Sequence, residues 1–207
     1  MPNASLLKPG SIIRDESGAI LDARSSVTLV ISGSEKIIID TGLMGEERLI
    51  TEALSKKGIK PEDIDILVNT HAHQDHCGNN YLFSRAELLH PKDGEIIAPG
   101  VKVIETPGHT FDSISVIVDT AVINDSYEQS SDLVMNGKQA MKALLVISGD
   151  ALPTFNNFIK NVPPALHVSR ELAISSMSKI INVAGVVIPG HDLPFSIHER
   201  KYITLRD

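Results

Sequence analysis

Short apolar runs closed by turn residues recur along the whole chain, and helical spacing interrupts them in only two longer stretches. The runs near 11–14, 25–32 and 36–40 predict strands. Between 45 and 57, Leu49, Ile50 and Leu54 fall at helical spacing, and Gly58 is placed to end that helix. Asp65-Ile-Leu-Val-Asn-Thr70 reads as a strand, 79–84 as a short helix, and 86–89, 101–106, 113–118 and 144–149 as further strands. The strongest later helix is expected over 165–183, where Leu172, Ile174, Met177, Ile180 and Ile181 form an apolar face after the Pro163-Pro164 break. It returns the chain for a last strand at 185–188. Two β-rich halves, each with helices, are compatible with an α+β sandwich of four layers without being diagnostic of it. The segment 124–142, mixed in polarity and containing Asn136-Gly137, fits least and reads as an inserted loop or short helix. Tyr127 within it is given no catalytic role.

The turns that close these runs hold the chemistry. His71-Ala-His-Gln-Asp-His76 places four metal-binding side chains in six residues directly after a strand. His71 and His73, two apart on an extended segment, can point the same way, with Asp75 and His76 in the following turn. This differs from the i, i+4 spacing by which a helix presents two zinc-binding histidines. Three other runs lead through a glycine to a ligand-type residue: 101–106 into Pro107-Gly108-His109, 144–148 into Gly149-Asp150, and 186–188 into Pro189-Gly190-His191. A fourth ends in Asp40-Thr41-Gly42. Ligands at one end of several strands can converge above a sheet edge, on loops carried by a rigid scaffold. His90, His167 and His198 fit no such position and read as surface or locally bonded residues; Cys77 reads as a small buried residue.

With 207 residues and 42% hydrophobic content, one sizeable core is expected, and a single domain over 1–207 is the simplest division. The lone cysteine excludes an intrachain disulfide, and neither a signal segment nor a long apolar run is apparent, so a cytoplasmic, soluble protein without a membrane partner is expected. The net charge of −7, without a lysine or arginine cluster beyond short pairs such as Lys56-Lys57, disfavours a nucleic-acid partner and leaves a small-molecule substrate as the expectation. Oligomeric state leaves no signature in the chain.

The H-x-H-x-D-H stretch at 71–76, followed in order by His109, Asp150 and His191, resembles the metallo-β-lactamase fold superfamily over nearly the whole chain. The resemblance implies the αββα sandwich, with a metal site at strand ends between the sheets. It also implies two divalent ions: one held by His71, His73 and His109, the other by Asp75, His76 and His191, with Asp150 bridging them. Asp40 matches an aspartate that supports the histidine loop from behind the ligands. Imidazole and carboxylate ligands suit zinc and are also compatible with iron or manganese.

A binuclear hydrolase is therefore expected, in which a hydroxide held between the ions, oriented by Asp75, attacks a small ester, thioester or lactone. Lactam cleavage is disfavoured, because Asp150 matches the bridging carboxylate of the esterase, thioesterase, lactonase and phosphodiesterase branches. One alternative is a metal-dependent phosphodiesterase or ribonuclease. Asn79-Asn80-Tyr81-Leu82-Phe83 and Ser169-Arg170 are similar to small members of the metallo-β-lactamase domain-containing protein 1 type, which are associated with RNA cleavage. The other is a persulfide dioxygenase with a single iron on the positions of His71, His109 and Asp150.

Overall fold

The structure, a computed structural model, describes residues 1–120 and 144–205; the insertion expected at 124–142 lies outside the described residues. Two sheets are stacked at the centre. The first is built from β1 (Asn3–Lys8), β4 (Val27–Ser32), β5 (Glu35–Ile39), β6 (Ile66–Val68) and β7 (Glu87–Leu89), in that spatial order. The second runs β14 (Lys201–Tyr202), β13 (Phe195–Ser196), β12 (Ala184–Pro189), β11 (Leu144–Gly149), β10 (Ile114–Val118), β9 (Val101–Glu105) and β8 (Ile96–Ala98). Pairing is mostly antiparallel, but β5, β6 and β7 run parallel in the first sheet, as do β11 and β12 in the second. Those parallel strands point their carboxyl ends the same way, and the ligand-type residues follow them.

Three apolar clusters separate the layers. Val30, Ile37, Ile39 and Val68 of the first sheet meet Val103, Val116, Leu145 and Ile188 of the second in the central cluster. Because strand side chains alternate, Leu29 and Ile38 point the opposite way and pack against Ile50 and Leu54 of α1 (Glu47–Lys56). On the far side, Val146 and Val187 pack against Phe158 of α3 (Phe155–Lys160) and Met177 and Ile180 of α4 (Arg170–Val183). Helix, sheet, sheet and helix thus follow from strands that are apolar on both faces, which is the predicted four-layer α+β sandwich. Truncating a fully buried link such as Leu54 to alanine is expected to cost about 2–5 kcal/mol.

The elements depart from expectation in instructive places. Helix α4 begins at Arg170 rather than near 165, capped by the Ser169 hydroxyl, which accepts from the Leu172 amide at 3.3 Å. Residues 165–169 are drawn into tertiary bonds instead, with the Val168 amide donating to the Gly108 carbonyl at 2.8 Å. Asp75 and His76, expected in a turn, lie on a single helical turn, α2 (Gln74–Cys77). A hairpin of β2 (Ser11–Arg14) and β3 (Ile20–Arg24) stands apart from both main sheets as a two-stranded unit.

Candidate metal centre

All seven ligand-type residues named from the sequence converge. β6 delivers Thr70 and His71 two and three residues past its end, and α2 carries Asp75 and His76. His109 follows β9, Asp150 directly follows β11, and His191 follows β12. Backbone bonds lock these loops together: the Thr41 amide donates to the His76 carbonyl at 2.7 Å, Ser26 to Gly190 at 2.8 Å, and Ile114 to Thr70 at 2.8 Å. Close approach also requires glycine. A Cβ at Gly190 would lie 2.2 Å from Asp150 Oδ1, so any side chain there would displace the carboxylate.

One half of the centre is a ring of nitrogens. His73 Nδ1 lies 3.0 Å from His71 Nε2 and 3.0 Å from His109 Nε2. The outward nitrogens fix the tautomers. Thr70 Oγ1 lies 2.8 Å from Asp40 Oδ2, to which it donates, leaving the hydroxyl oxygen to accept from His71 Nδ1 at 3.2 Å. His109 Nδ1 donates to the Leu166 carbonyl at 2.8 Å. Both Nε2 atoms therefore turn lone pairs toward His73, which as a neutral imidazole can donate to one of them at most. Nitrogens sharing one zinc at bonds of about 2.0–2.1 Å would stand roughly 3.3 Å apart, so a shared cation accounts for a convergence that hydrogen bonding does not.

The other half mixes nitrogen and oxygen. His76 is fully buried and donates from Nδ1 to Asp40 Oδ2 at 2.7 Å, while Asp40 Oδ1 accepts from the Thr70 amide at 2.7 Å. His191 Nδ1 donates to the Arg24 carbonyl at 3.0 Å. The free Nε2 atoms again face inward, His191 at 3.5 Å from Asp75 Oδ2 and His76 at 3.9 Å from the same atom. Asp150 spans the halves: Oδ2 is 3.5 Å from His109 Nε2 and 3.2 Å from His191 Nε2, and Oδ1 is 3.4 Å from His76 Nε2 and 3.1 Å from His191 Nε2. His76 Nε2 and Asp150 Oδ1 are buried without a hydrogen-bond partner among the described residues, as expected of atoms reserved for a cation.

Electrostatics divide the halves further. Burial, aided by its histidine neighbours, pushes the His71 imidazole down to about 2, and burial lowers His73 in the same sense. Burial also opposes a charge on His76 and His191, but Asp40 and Asp150 outweigh it for His76, and Asp150 for His191, raising both. Burial likewise resists ionisation of Asp150, yet His191 and His76 hold it well below the usual carboxylate range.

Asp40 has φ of +57°, a left-handed conformation uncommon outside glycine, kept by the bonds that its carboxylate makes to Thr70 and His76. Sequence reasoning missed the supports from Thr70 and from the Arg24 and Leu166 carbonyls. Only Thr70, adjacent to His71, had any signal in the sequence. His90 and His198 are exposed, and His167 Nδ1 donates to the nearby Pro164 carbonyl at 2.7 Å, in line with their exclusion from the site. Cys77 is only half-buried rather than buried, its thiol 3.6 Å from the Ala72 carbonyl.

The centre forms the floor of a cleft of about 890 Å³, walled by the β2–β3 hairpin and by α3 with the chain that follows it. Among the described residues, no helix is long and apolar enough to cross a membrane.

An αββα sandwich with clustered histidines and aspartates at its strand ends defines a metal-binding class of fold. The profile of the metallo-beta-lactamase superfamily matches residues 21–91. A probable metallo-hydrolase of Methanocaldococcus jannaschii is 36% identical over 198 residues, covering 90% of this chain and 85% of that protein. The chain belongs to the metallo-beta-lactamase superfamily. The metallo-beta-lactamase domain-containing protein 1 of Xenopus laevis is 28% identical over 208 residues, covering 89% of this chain and 77% of its own. A solved N-acyl homoserine lactone hydrolase, with the product N-hexanoyl-L-homoserine at its catalytic metal centre, shares the fold with a TM-score of 0.64. It is 20% identical and covers 92% of each chain.

Proposed function

We propose that the protein is a metal-dependent hydrolase with a binuclear centre, acting on a small ester, thioester or lactone. The observation that carries this is the placement of Asp150, whose carboxylate lies against both groups of imidazole nitrogens, Oδ2 reaching His109 at 3.5 Å and His191 at 3.2 Å and Oδ1 reaching His76 at 3.4 Å and His191 at 3.1 Å, where the opposite nitrogens are already bonded. His71, His73 and His109 would hold one divalent ion, Asp75, His76 and His191 the other, and Asp150 would join them. Zinc suits this donor set. Bound ions would supply a water activated at neutral pH and an electrophile for the scissile carbonyl.

The remaining work falls to the chain. Asp75 faces the cleft and is more open than the buried Asp150, so its carboxylate can orient the attacking water and accept its proton. Asp40 and Thr70 hold His76 and His71 in the tautomers that leave Nε2 free. Apolar side chains of the hairpin and the proline-rich wall line the cleft beside the centre, where they would contact the acyl group. The lactone hydrolase of the same fold supports an acyl substrate.

The test is elemental analysis of metal-saturated protein, followed by assay on ester, thioester, lactone and phosphodiester panels. Two zinc ions per chain with acyl turnover supports the proposal. A single iron with thiol-dependent oxygen uptake, or turnover confined to phosphodiesters, contradicts it.

A further inference from the structure

We infer that the cleft selects a substrate whose apolar body ends in an anionic group, held between Arg14 and Lys160. The inference rests on the acyl-hydrolase reading above and adds the substrate's chemical class. The register of the hairpin is the first observation. Ile12 pairs with Ala23 and Arg14 with Ile20, and those four residues line the cleft. Ile12 and Arg14 both line the cleft, across a register shift between Ile13 and Arg14 that bypasses Leu21, while Ile13, 54% exposed, does not. The hairpin thus presents an apolar strip that ends in a guanidinium.

The opposite wall has the same order of chemistry. Lys160 closes α3, Asn161 turns the chain in a left-handed conformation with φ of +51°, and Pro163, Pro164 and Leu166 continue the lining as an apolar strip. Each wall therefore combines aliphatic surface with one cation.

The charge balance of the lining gives these cations their meaning. Its carboxylates are Asp75 and Asp150 on the floor and Asp192. Asp192 is already engaged, Oδ2 accepting from the Phe155 amide at 3.1 Å and the Tyr202 hydroxyl at 3.0 Å, and Oδ1 from the Leu193 amide at 2.8 Å. Arg14 donates to the Gly18 carbonyl at 2.9 Å, and among the described residues neither Arg14 nor Lys160 is paired with a carboxylate. What sets these two apart from the other lysines and arginines is their place in the cleft lining, which holds no other lysine or arginine. A cleft of this volume lies within the range that encloses a small molecule. Its floor takes the scissile carbonyl, its walls the apolar body, and the cations a carboxylate or phosphate at the far end.

The experiment compares N-acetylcysteamine thioesters of octanoic acid, of octanedioic acid with its free terminal carboxylate, and of an eight-carbon chain ending in phosphate. The metal-loaded wild type and the Arg14→Gln/Lys160→Gln double variant are assayed at low salt. Wild type should prefer an anionic thioester over the neutral one by roughly tenfold in kcat/KM, mainly through KM, as two partly exposed charge contacts allow. That ratio should fall to near one in the double variant, with metal content unchanged. Whichever anionic chain leads identifies the group as carboxylate or phosphate. An equal or greater preference for the neutral thioester, or the same ratio in both proteins, would overturn the inference. If no thioester is cleaved, only the thioester branch of the hydrolase reading fails, and calorimetry with octanedioate against its monoamide still decides the subsite. Tighter binding of the dianion, lost in the double variant, supports it; equal binding refutes it. Binding of a short RNA in preference to every monoanion, lost in the same variant, would also overturn the small-molecule class.

Discussion

The two halves of the centre are built from the same imidazole chemistry but supported differently. Around His71, His73 and His109 the ring is all nitrogen, steadied by a hydroxyl and a backbone carbonyl. Around His76 and His191 there are two carboxylates inside and a third, Asp40, behind. Burial thus lowers His71 and His73, while the second half holds enough negative charge to raise its histidines despite burial. The buried His71 is stabilised by staying unprotonated, and the buried carboxylate cluster by acquiring positive charge. The lesson is that, on the proposed binuclear reading, a cation in each half would meet a different electrostatic setting, and Asp150, reaching both, would couple them.

Removing that coupling should have the largest effect. Asp150→Ala is expected to weaken both sites and lower activity by more than about 100-fold, beyond the 10–100-fold range typical of losing a residue behind the ligands. Metal titration and turnover on the same preparations check it; loss confined to one half would break the comparison. Asp40→Asn should come next, with a loss of about 10–100-fold in affinity falling mainly on the second half, because its carboxylate meets His76 directly. His71 feels Asp40 only through Thr70, so Thr70→Val should fall more heavily on the first half and by less. Equal effects of the two substitutions on both halves would contradict the division.

A third prediction concerns pH and uses chelated protein. The folded pKa of His71, about 2, lies below its unfolded value of 6.5, so the unfolded chain takes up a proton that the folded chain refuses. That contribution to stability is therefore lost as pH falls from 6.5 toward 2. His76 and His191 are raised, so their contribution is complete below 6.5 and lost as pH rises through their folded values. Denaturant melts should show stability falling on both sides of a maximum near the unperturbed histidine value. A monotonic rise with pH through this region would show that the second half does not hold its protons.

The smallest effect is expected from Cys77. Its thiol is directed at the Ala72 carbonyl, and burial together with Asp40 raises its pKa, so Cys77→Ser should leave metal content at the wild-type level. Loss of an ion in that variant would place a thiolate in the donor set.

What could be read from the chain follows the same physics. Strands β4, β5, β11 and β12 were legible because they are largely buried on both faces, which demands aliphatic runs that here lead into glycine-containing turns. The donor residues were legible because their order along the chain is itself a pattern. β3 was not, since Ile20-Leu-Asp-Ala-Arg24 pairs only with β2 and is half exposed, leaving little hydrophobic signal. Nor was α3, a short helix set by the Thr154 cap, where the hydroxyl accepts from the Asn157 amide at 3.3 Å. The carbonyls of Arg24 and Leu166 that orient His191 and His109 belong to the backbone, which every residue carries, so no composition or spacing could have marked them.

Metal content per chain tests the central claim most directly. Elemental analysis of wild-type protein saturated with zinc and freed of excess should approach two ions per chain, with both sites weakened together in Asp150→Ala. One ion per chain in saturated wild type, with Asp75, His76 and His191 replaceable by alanine without loss of that ion, would contradict a bridged pair.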